Sequence, residues 1–411
     1  MGHKKINYLV YIGTTKIALF EIKHGAGKPA IIERVKCLPA HGFKSGIVFD
    51  LKKATKTLAA LASEVNRSRS SGIISCRVVV SCAQLKEYIF QSSVYFQGNP
   101  HPITMKDVRE VIAQTRSVAT IPLRDVIVQP VVQEFLVNDL SGVQNPIGLE
   151  ATRLGVTLRL LTLDYLDYAN LVKIFERCEM EVMDVIPGVL AAAHAVLTQD
   201  ERQSGVILVV VGGEATHFVC YKNCVLLKTR SLPIGSDVIT AGLERKLNVD
   251  HEDAKRLKEV FGAAYRKVEF QDELIPIPAA DGTVKKHIRR TDFEEHLEEG
   301  LQYFFSVLEE EIEQLRSEFS PLNQVVLTGG GIKLDGFLDR LKEKISSQFR
   351  LGTPHTYAGP QEFVHDPMYA AAVGGVDFSG EVRDEDLPST KSPHWLTQAV
   401  GSVREWVYEY F

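Results

Sequence analysis

The sequence lacks any apolar run of the ~18–20 residues that would cross a bilayer as a helix. Its N-terminal MGHKKINYL has no hydrophobic stretch behind it, so no secretory leader is expected. Gly2 does not start a myristoylation signal, because Ile6 stands where Ser or Thr is needed. The six cysteines, at 37, 76, 82, 178, 220 and 224, form no CxxC pair. Most lie in apolar runs, so reduced core thiols in a cytosolic chain are expected. An excess of basic charge is missing too: a net charge of -5 leaves no footprint for nucleic acid. Tryptophan is scarce, and both copies, Trp395 and Trp406, fall within 395–411. What is present is an ordinary soluble composition, 45% hydrophobic and 24% charged over 411 residues. That length suggests about two to four compact units.

The most informative stretch is GVILVVVGGEATHFVCY, residues 205–221. The apolar run Val206–Val211 reads as a buried strand. Gly212 and Gly213 make a tight turn, and Phe218–Tyr221 reads as the return strand. The same strand–Gly turn–strand grammar appears in LVYIGTTKIALFEI, residues 9–22. Two such hairpins, one opening each half, suggest a duplicated α/β fold with a nucleotide clamped between the halves. A third element, VVLTGGG at 325–331 followed by IKLDG, reads as a buried strand running into a Gly-rich turn and a helix start.

These elements, in this order, are similar to those of the actin/Hsp70-like ATPases. Further stretches narrow the likeness: HGFKSGIVFDL (41–51), NPIGLEATRLGV (145–156), VLTQDERQSGV (196–206), DPMYAAAVGG (366–375) and an amphipathic last segment. With them the chain resembles the FtsA family of bacterial cell-division proteins over nearly all its length. PilM-like pilus proteins share the fold, but the NPIGL block and the last segment favour FtsA. The resemblance implies a duplicated actin-like, ribonuclease H-like core with inserted subdomains 1C and 2B. It places subdomain 1A at 1–83 and 166–204, 1C at 84–165, 2A at 205–245 and 312–378, and 2B at 246–311. A polar linker follows at 379–394, then a membrane-targeting helix at 395–411. Within this frame we expect helices at Leu51–Val65, Thr104–Ala113, Tyr168–Arg177 and Pro187–Leu197. Strands are expected at Cys76–Cys82, Glu87–Tyr95 and Val126–Val137, and 246–311 reads as charged and helical.

The departures from the family pattern decide the expected chemistry. Laid on D-[IL]-G-G-G-[TS]-x-D, the second hairpin puts Val210 and His217 at the two Asp positions, Glu214 at the third Gly and Ala215 at the Thr. Tyr11 occupies the acidic position of the first hairpin, where its bland reading is a strand tyrosine packing its ring. His217 reads as a hydrogen-bonded strand histidine rather than a metal ligand, having no His or Cys partner at useful spacing. With all three acidic positions gone, Mg²⁺, which wants oxygen ligands around phosphates, is doubtful. Phosphoryl transfer, which needs that cation and a positioned water, is not expected.

Binding is a separate question. Gly13, Thr14, Thr15 and Lys16 are placed to form an anion nest, or simply a hairpin turn. Glu214 is expected beside the γ-phosphate, where it would repel it. Gly212, Gly213, Gly235 and Ser236 line up with the family's nucleotide turns, and Gly329, Gly330 and Gly331 with its adenosine motif. In EDAKRLK (252–258), Lys258 keeps the family lysine near the ribose and adenine, and Lys255 replaces a Glu. ATP or ADP is therefore expected to bind weakly and almost without regard to Mg²⁺.

The resemblance also implies partners. Self-assembly would run through 1C and 2B, and the tail of the tubulin-like division protein FtsZ would meet the helix across Arg289–Glu311. The family's tail contacts fall on Gly300 and Tyr303, leaving Arg289 and Arg290 as anchors for an acidic tail. On a helical projection Trp395, Leu396, Val400, Val403, Trp406, Val407, Tyr410 and Phe411 share an arc of about 160°. That stripe suits the inner face of the cell membrane; a protein groove is the alternative. The leading reading is a non-catalytic, membrane-associated division scaffold. A working ATPase and a PilM-like adaptor stay open beside it.

Overall fold

The computed structural model describes residues 8–24, 30–67, 73–82, 84–98, 100–265, 273–278 and 284–378. The linker 379–394 and the segment 395–411, with the apolar stripe, lie outside the described residues. The described residues within 1–88, 121–129 and 160–378 form one compact unit, and those within 89–120 and 130–159 a second.

The first unit holds two five-stranded sheets of identical topology. In the first half the strands are β1 (Tyr8–Ile12), β2 (Lys16–Lys23), β3 (Ile31–Pro39), β4 (Ile74–Val80) and β5 (Met180–Pro187). They lie in the order β5-β4-β1-β2-β3. In the second half β6 (Val206–Val211), β7 (Thr216–Lys222), β8 (Val225–Leu232), β9 (Gln324–Thr328) and β10 (Gln348–Leu351) lie in the order β8-β7-β6-β9-β10. Each half therefore opens with a three-stranded antiparallel meander and adds two parallel strands by crossover. β6 is buried at every residue, as a strand covered on both faces must be. Two hydrophobic cores follow from this arrangement, one built on Val10, Ile17, Leu58 and Phe175, the other on Val209, Phe218, Phe304 and Leu327.

Helices dress the sheets, and their starts are written locally. Asp164 caps Tyr165–Arg177 through the Leu166 N–H, and Asp250 caps His251–Phe261 through the Asp253 N–H. Thr198 and Glu201 form a reciprocal capping box on Gln199–Ser204. Glu201 also accepts both arms of Arg350 from β10, tying the helix to the sheet edge. The second unit sets helix Met105–Val118, capped by Thr104, on a four-stranded sheet, with Ser92 Oγ and Thr115 Oγ1 2.6 Å apart between them.

Two expectations need correction. The 246–311 region is not all helix, because Leu274–Pro278 and Val284–Arg289 pair as an antiparallel hairpin. The alternation was legible in Ile275 and Ile277, both fully buried, but Pro276 and Pro278 argued against a strand. A two-stranded ribbon tolerates them because each strand has a free edge. The helix that follows, Arg290–Glu318, runs beyond the expected end at 311. The stretch 166–199 also contains β5, the edge strand of the first sheet, between its two helices. The free thiols Cys76, Cys82, Cys178 and Cys220 are buried. Burial pushes Cys76 and Cys220 up to about 12, so they are inert. Among the described residues no helix is long and apolar enough to cross a membrane.

Candidate functional site

Both hairpin turns of the first unit face one cleft of about 540 Å³, within the usual range for a small-molecule site. Gly13, Thr14, Thr15 and Lys16 line it from the β1–β2 turn, Gly212 and Gly213 from the β6–β7 turn, and Gly330 and Gly331 from the turn after β9. Ser236 and Lys258 complete the set that the sequence placed here. Gly235 and Gly329 stand behind this wall. A Cβ on Gly235 would collide with the Gly213 carbonyl, and one on Gly329, at φ +98, with the Val211 carbonyl. Only glycine lets these turns stack so closely.

Tyr11 is in the cleft, and its phenol lies over the first turn. A Cβ on Gly13 would sit 2.8 Å from the Tyr11 hydroxyl oxygen. Ser81 Oγ reaches that oxygen at 3.4 Å. Burial raises the phenol above its ordinary pKa, so it stays neutral. Val210 and His217 do not reach the cleft. They are register partners across β6 and β7, 8% and 3% exposed. His217 Nδ1 pairs with Ser231 Oγ at 2.8 Å, as a strand histidine should.

The second hairpin's N–H groups are already used. Thr14 Oγ1 accepts from the Gly213 N–H at 3.2 Å and the Glu214 N–H at 3.4 Å. A turn's successive N–H groups form an anion-binding concavity; here a hydroxyl from the other half occupies it. Glu214 corrects an expectation. Its carboxylate does not line the cleft but accepts from the backbone N–H of Ser45 and from Ser45 Oγ at 3.2 Å. Ser45 sits at φ 48 in the turn before α-helix Leu51–Arg67, which aims its N–H outward. Glu214 therefore clasps the two halves together and lines a neighbouring cavity with Thr14, Thr15 and Lys16.

Fitted against this site, Mg²⁺ finds a poor donor set. A hard cation wants several oxygens in near-ideal octahedral geometry. Of the three acidic positions one is a phenol and two are buried away. Of the three carboxylates lining the cleft, Asp237, Glu259 and Asp335, Asp237 has its backbone N–H on the Gly213 carbonyl at 2.8 Å and its Oδ1 3.8 Å from Lys258 Nζ. It answers to that ammonium. Lys258, 8% exposed, donates to the Ser236 carbonyl at 3.0 Å.

Several lining residues were not read from the sequence. Met368 and Tyr369 belong to the DPMY stretch, which signalled the family but no role. Met368 Sδ takes the Lys16 ammonium at 3.2 Å. Ile239, Val260 and Leu334 give the cleft an apolar flank. Arg290 also lines it, which corrects its reading as a surface anchor. Its guanidinium is held by Glu273 at 2.6 Å and Glu294 at 3.4 Å and donates to the Phe261 carbonyl. Arg289, by contrast, is exposed and meets Asp292 at 3.4 Å. Gly300 faces inward: a Cβ there would lie 3.0 Å from Ile239 Cα. That position cannot carry a tail contact, whereas Tyr303 is exposed.

His217 carries a pH prediction. Burial pulls its imidazole down to about 4 from the ordinary 6.5. The unfolded chain therefore binds a proton through this window while the folded chain does not. Stability is intact above about 6.5 and falls as pH drops toward 4, by about 3 kcal/mol from this one group. Urea unfolding of the parent and of His217→Gln between pH 7 and 4.5 should show a shallower acid slope in the variant. Equal slopes would mean that His217 takes a proton without unfolding.

Comparison with known proteins agrees with the geometry. A family model described as Cell division protein FtsA matches residues 207–374, and one described as SHS2 domain inserted in FTSA matches 83–162. The chain is 26% identical over 410 residues to the cell division protein FtsA of Escherichia coli K12, covering 96% of each. It is 24% identical to that of Pseudomonas aeruginosa, over 88% of this chain and 86% of that protein. To FtsA of Bacillus subtilis it is 25% identical, over 83% and 76%. Among solved structures the fold is similar to the PilM-PilN type IV pilus biogenesis complex, with a TM-score of 0.61 at 15% identity over 91% of this chain and 99% of that one. It is similar also to MreB 5 of Spiroplasma citri bound to AMPPNP, with a TM-score of 0.54 at 10% identity over 90% and 95%. The duplicated sheets are thus those of the actin-like ATPase fold.

Proposed function

The chain belongs to the FtsA family of bacterial cell-division proteins, and we propose that it serves there as a non-catalytic scaffold whose cleft holds nucleotide without hydrolysing it. One observation carries this reading: the two hairpin turns at the phosphate end of the cleft are covered by the protein's own groups. The Tyr11 phenol covers the Gly13 turn, and the Thr14 hydroxyl takes the N–H groups of Gly213 and Glu214. The cleft otherwise keeps the glycine turns and the volume that a nucleotide needs, in a fold whose neighbour MreB 5 is described as bound to AMPPNP.

The wider role follows from the family. The subdomain assignment is 1A, 1C, 2A and 2B in the ranges given above, with self-association through 1C and 2B. The segment 395–411 anchors the assembly to the inner face of the membrane, and division proteins, the FtsZ tail among them, dock on it. Arg289 and Tyr303 are the exposed groups of the described 2B surface that fit an acidic tail.

Phosphate release from pure protein with ATP and Mg²⁺ tests the reading. The expected result is a rate no higher than that of Gly330→Trp, which fills the cleft. A specific observation favours the competing reading of a working ATPase: Asp237 brings a carboxylate to within 2.8 Å of a Cβ position on Gly213. Turnover that disappears in both Gly330→Trp and Asp237→Asn would establish that alternative.

A further inference from the structure

The cleft gathers three lysines, Lys16, Lys255 and Lys258, beside the carboxylates of Asp237, Glu259 and Asp335. Lys255 and Lys258 lie three residues apart on helix His251–Phe261 and therefore share a face. Both line the cleft, as does Lys16 from the β1–β2 turn. Lys258 is nearly buried and has the Ser236 carbonyl, the Ser236 hydroxyl at 3.4 Å and Asp237 at 3.8 Å. Lys16 rests on a thioether, a weak acceptor. Lys255 makes no hydrogen bond or ion pair among the described residues and also lines a second cavity with Thr14, Thr15, Lys16 and the carboxylates of Glu214, Asp237 and Glu252. Burial lowers Lys258; Asp237 and Glu259 offset part of this, and Lys255 adds to it. Gathering amines in a concave, partly dry site is costly until an anion joins them.

From this we infer that the ammonium groups of Lys16, Lys255 and Lys258 take the place of a metal ion, so that the cleft binds an adenine nucleotide of two or more phosphates free of divalent cation, with Lys255 setting the preference for phosphate. The inference rests on the reading of the cleft as a non-catalytic nucleotide site and adds the chemical form of the ligand. The correction at Glu214 makes it possible. With that carboxylate held by Ser45, Glu214 lines the second cavity rather than the cleft that would hold the phosphates. The apolar flank of Ile239, Val260 and Leu334 suits the base.

The test is calorimetric titration of the full chain with ADP, AMP and adenosine, in EDTA and then in Mg²⁺. ADP should bind in EDTA at least as tightly as in Mg²⁺, and more tightly than AMP or adenosine. Raising salt should weaken ADP and leave adenosine unchanged. Lys255→Gln should weaken ADP about tenfold, leave adenosine within twofold, and be rescued by Lys255→Arg. Lys255 is a half-exposed helix residue, so the fold is not at risk. The inference is overturned if ADP requires Mg²⁺, if ADP does not bind, or if Lys255→Gln leaves the ADP-to-adenosine ratio unchanged. A chain that binds ADP only with Mg²⁺ yet releases no phosphate from ATP would overturn the role of the lysines and keep the non-catalytic reading.

Discussion

Trp406→Glu should abolish pelleting of the full chain with phospholipid vesicles, a loss of at least tenfold. Eight apolar residues, Trp395, Leu396, Val400, Val403, Trp406, Val407, Tyr410 and Phe411, share one face of a helical 395–411. Burying that face supplies attraction at roughly 25 cal/mol per Å², and tryptophan favours the membrane interface. Losing Trp406 from the stripe removes about 2–3 kcal/mol, and a carboxylate forced to the acyl boundary adds its own desolvation cost. Charge contributes little. A basic residue near anionic lipid is worth about 1 kcal/mol, and the polar side sets Arg404 against Glu405 and Glu409. Binding should therefore vary little with anionic lipid content or salt. If it tracks anionic lipid instead, or survives Trp406→Glu, the apolar anchor is wrong and a protein groove becomes the better target.

The second large effect is constructive. Tyr11→Asp, Val210→Asp, Glu214→Gly, Ala215→Thr and His217→Asp together should turn metal-indifferent binding into Mg²⁺-dependent ATP binding, at least tenfold tighter than in EDTA. The structure says what each change does. Removing the phenol uncovers the Gly13 turn. Val210 and His217 are register partners on the strands that carry the Gly212–Gly213 turn, buried behind the cleft wall, so two carboxylates there share one site and must draw a cation in past that wall. Like charges so close repel until a cation joins them. The variant should accordingly melt lower than the parent in EDTA and recover on adding Mg²⁺ and ATP together. Glu214→Gly removes the Ser45 clasp as well, so a thermal scan of Glu214→Gly alone separates that loss. A folded five-site variant that remains indifferent to Mg²⁺ would show that these are not the positions that matter.

The sequence made the scaffold of the site legible and hid its wiring. Val206–Val211 and Val325–Thr328 read as buried strands because every residue but Thr328 is apolar and glycines bound both. The duplicated order of the sheets followed from two matching hairpins. What hid was set by orientation. Glu214 reads as a charge in a phosphate turn, but a turn residue points wherever its neighbours admit it, and the Ser45 N–H, aimed by a positive φ, takes it away from the cleft. Arg290 looks like a surface cation at a helix start, yet Glu273, just before the strand Leu274–Pro278, and Glu294 draw it inward. Met368 carries no signal of its own; only the fold places its sulfur against Lys16 across 352 residues. Gly300 was aligned without gaps to a surface position, and packing against Ile239 shows that it faces the core.

The central claim is that the phosphate end of the cleft is closed to metal-assisted transfer. A single-turnover assay tests it most directly: the full chain in molar excess over radiolabelled ATP, with Mg²⁺, in the presence and absence of phospholipid vesicles. The account expects the label to remain in ATP over hours, with Tyr11→Phe and Asp237→Asn indistinguishable from the parent. Conversion of the bound ATP to ADP and phosphate, faster than in Gly330→Trp, would contradict it.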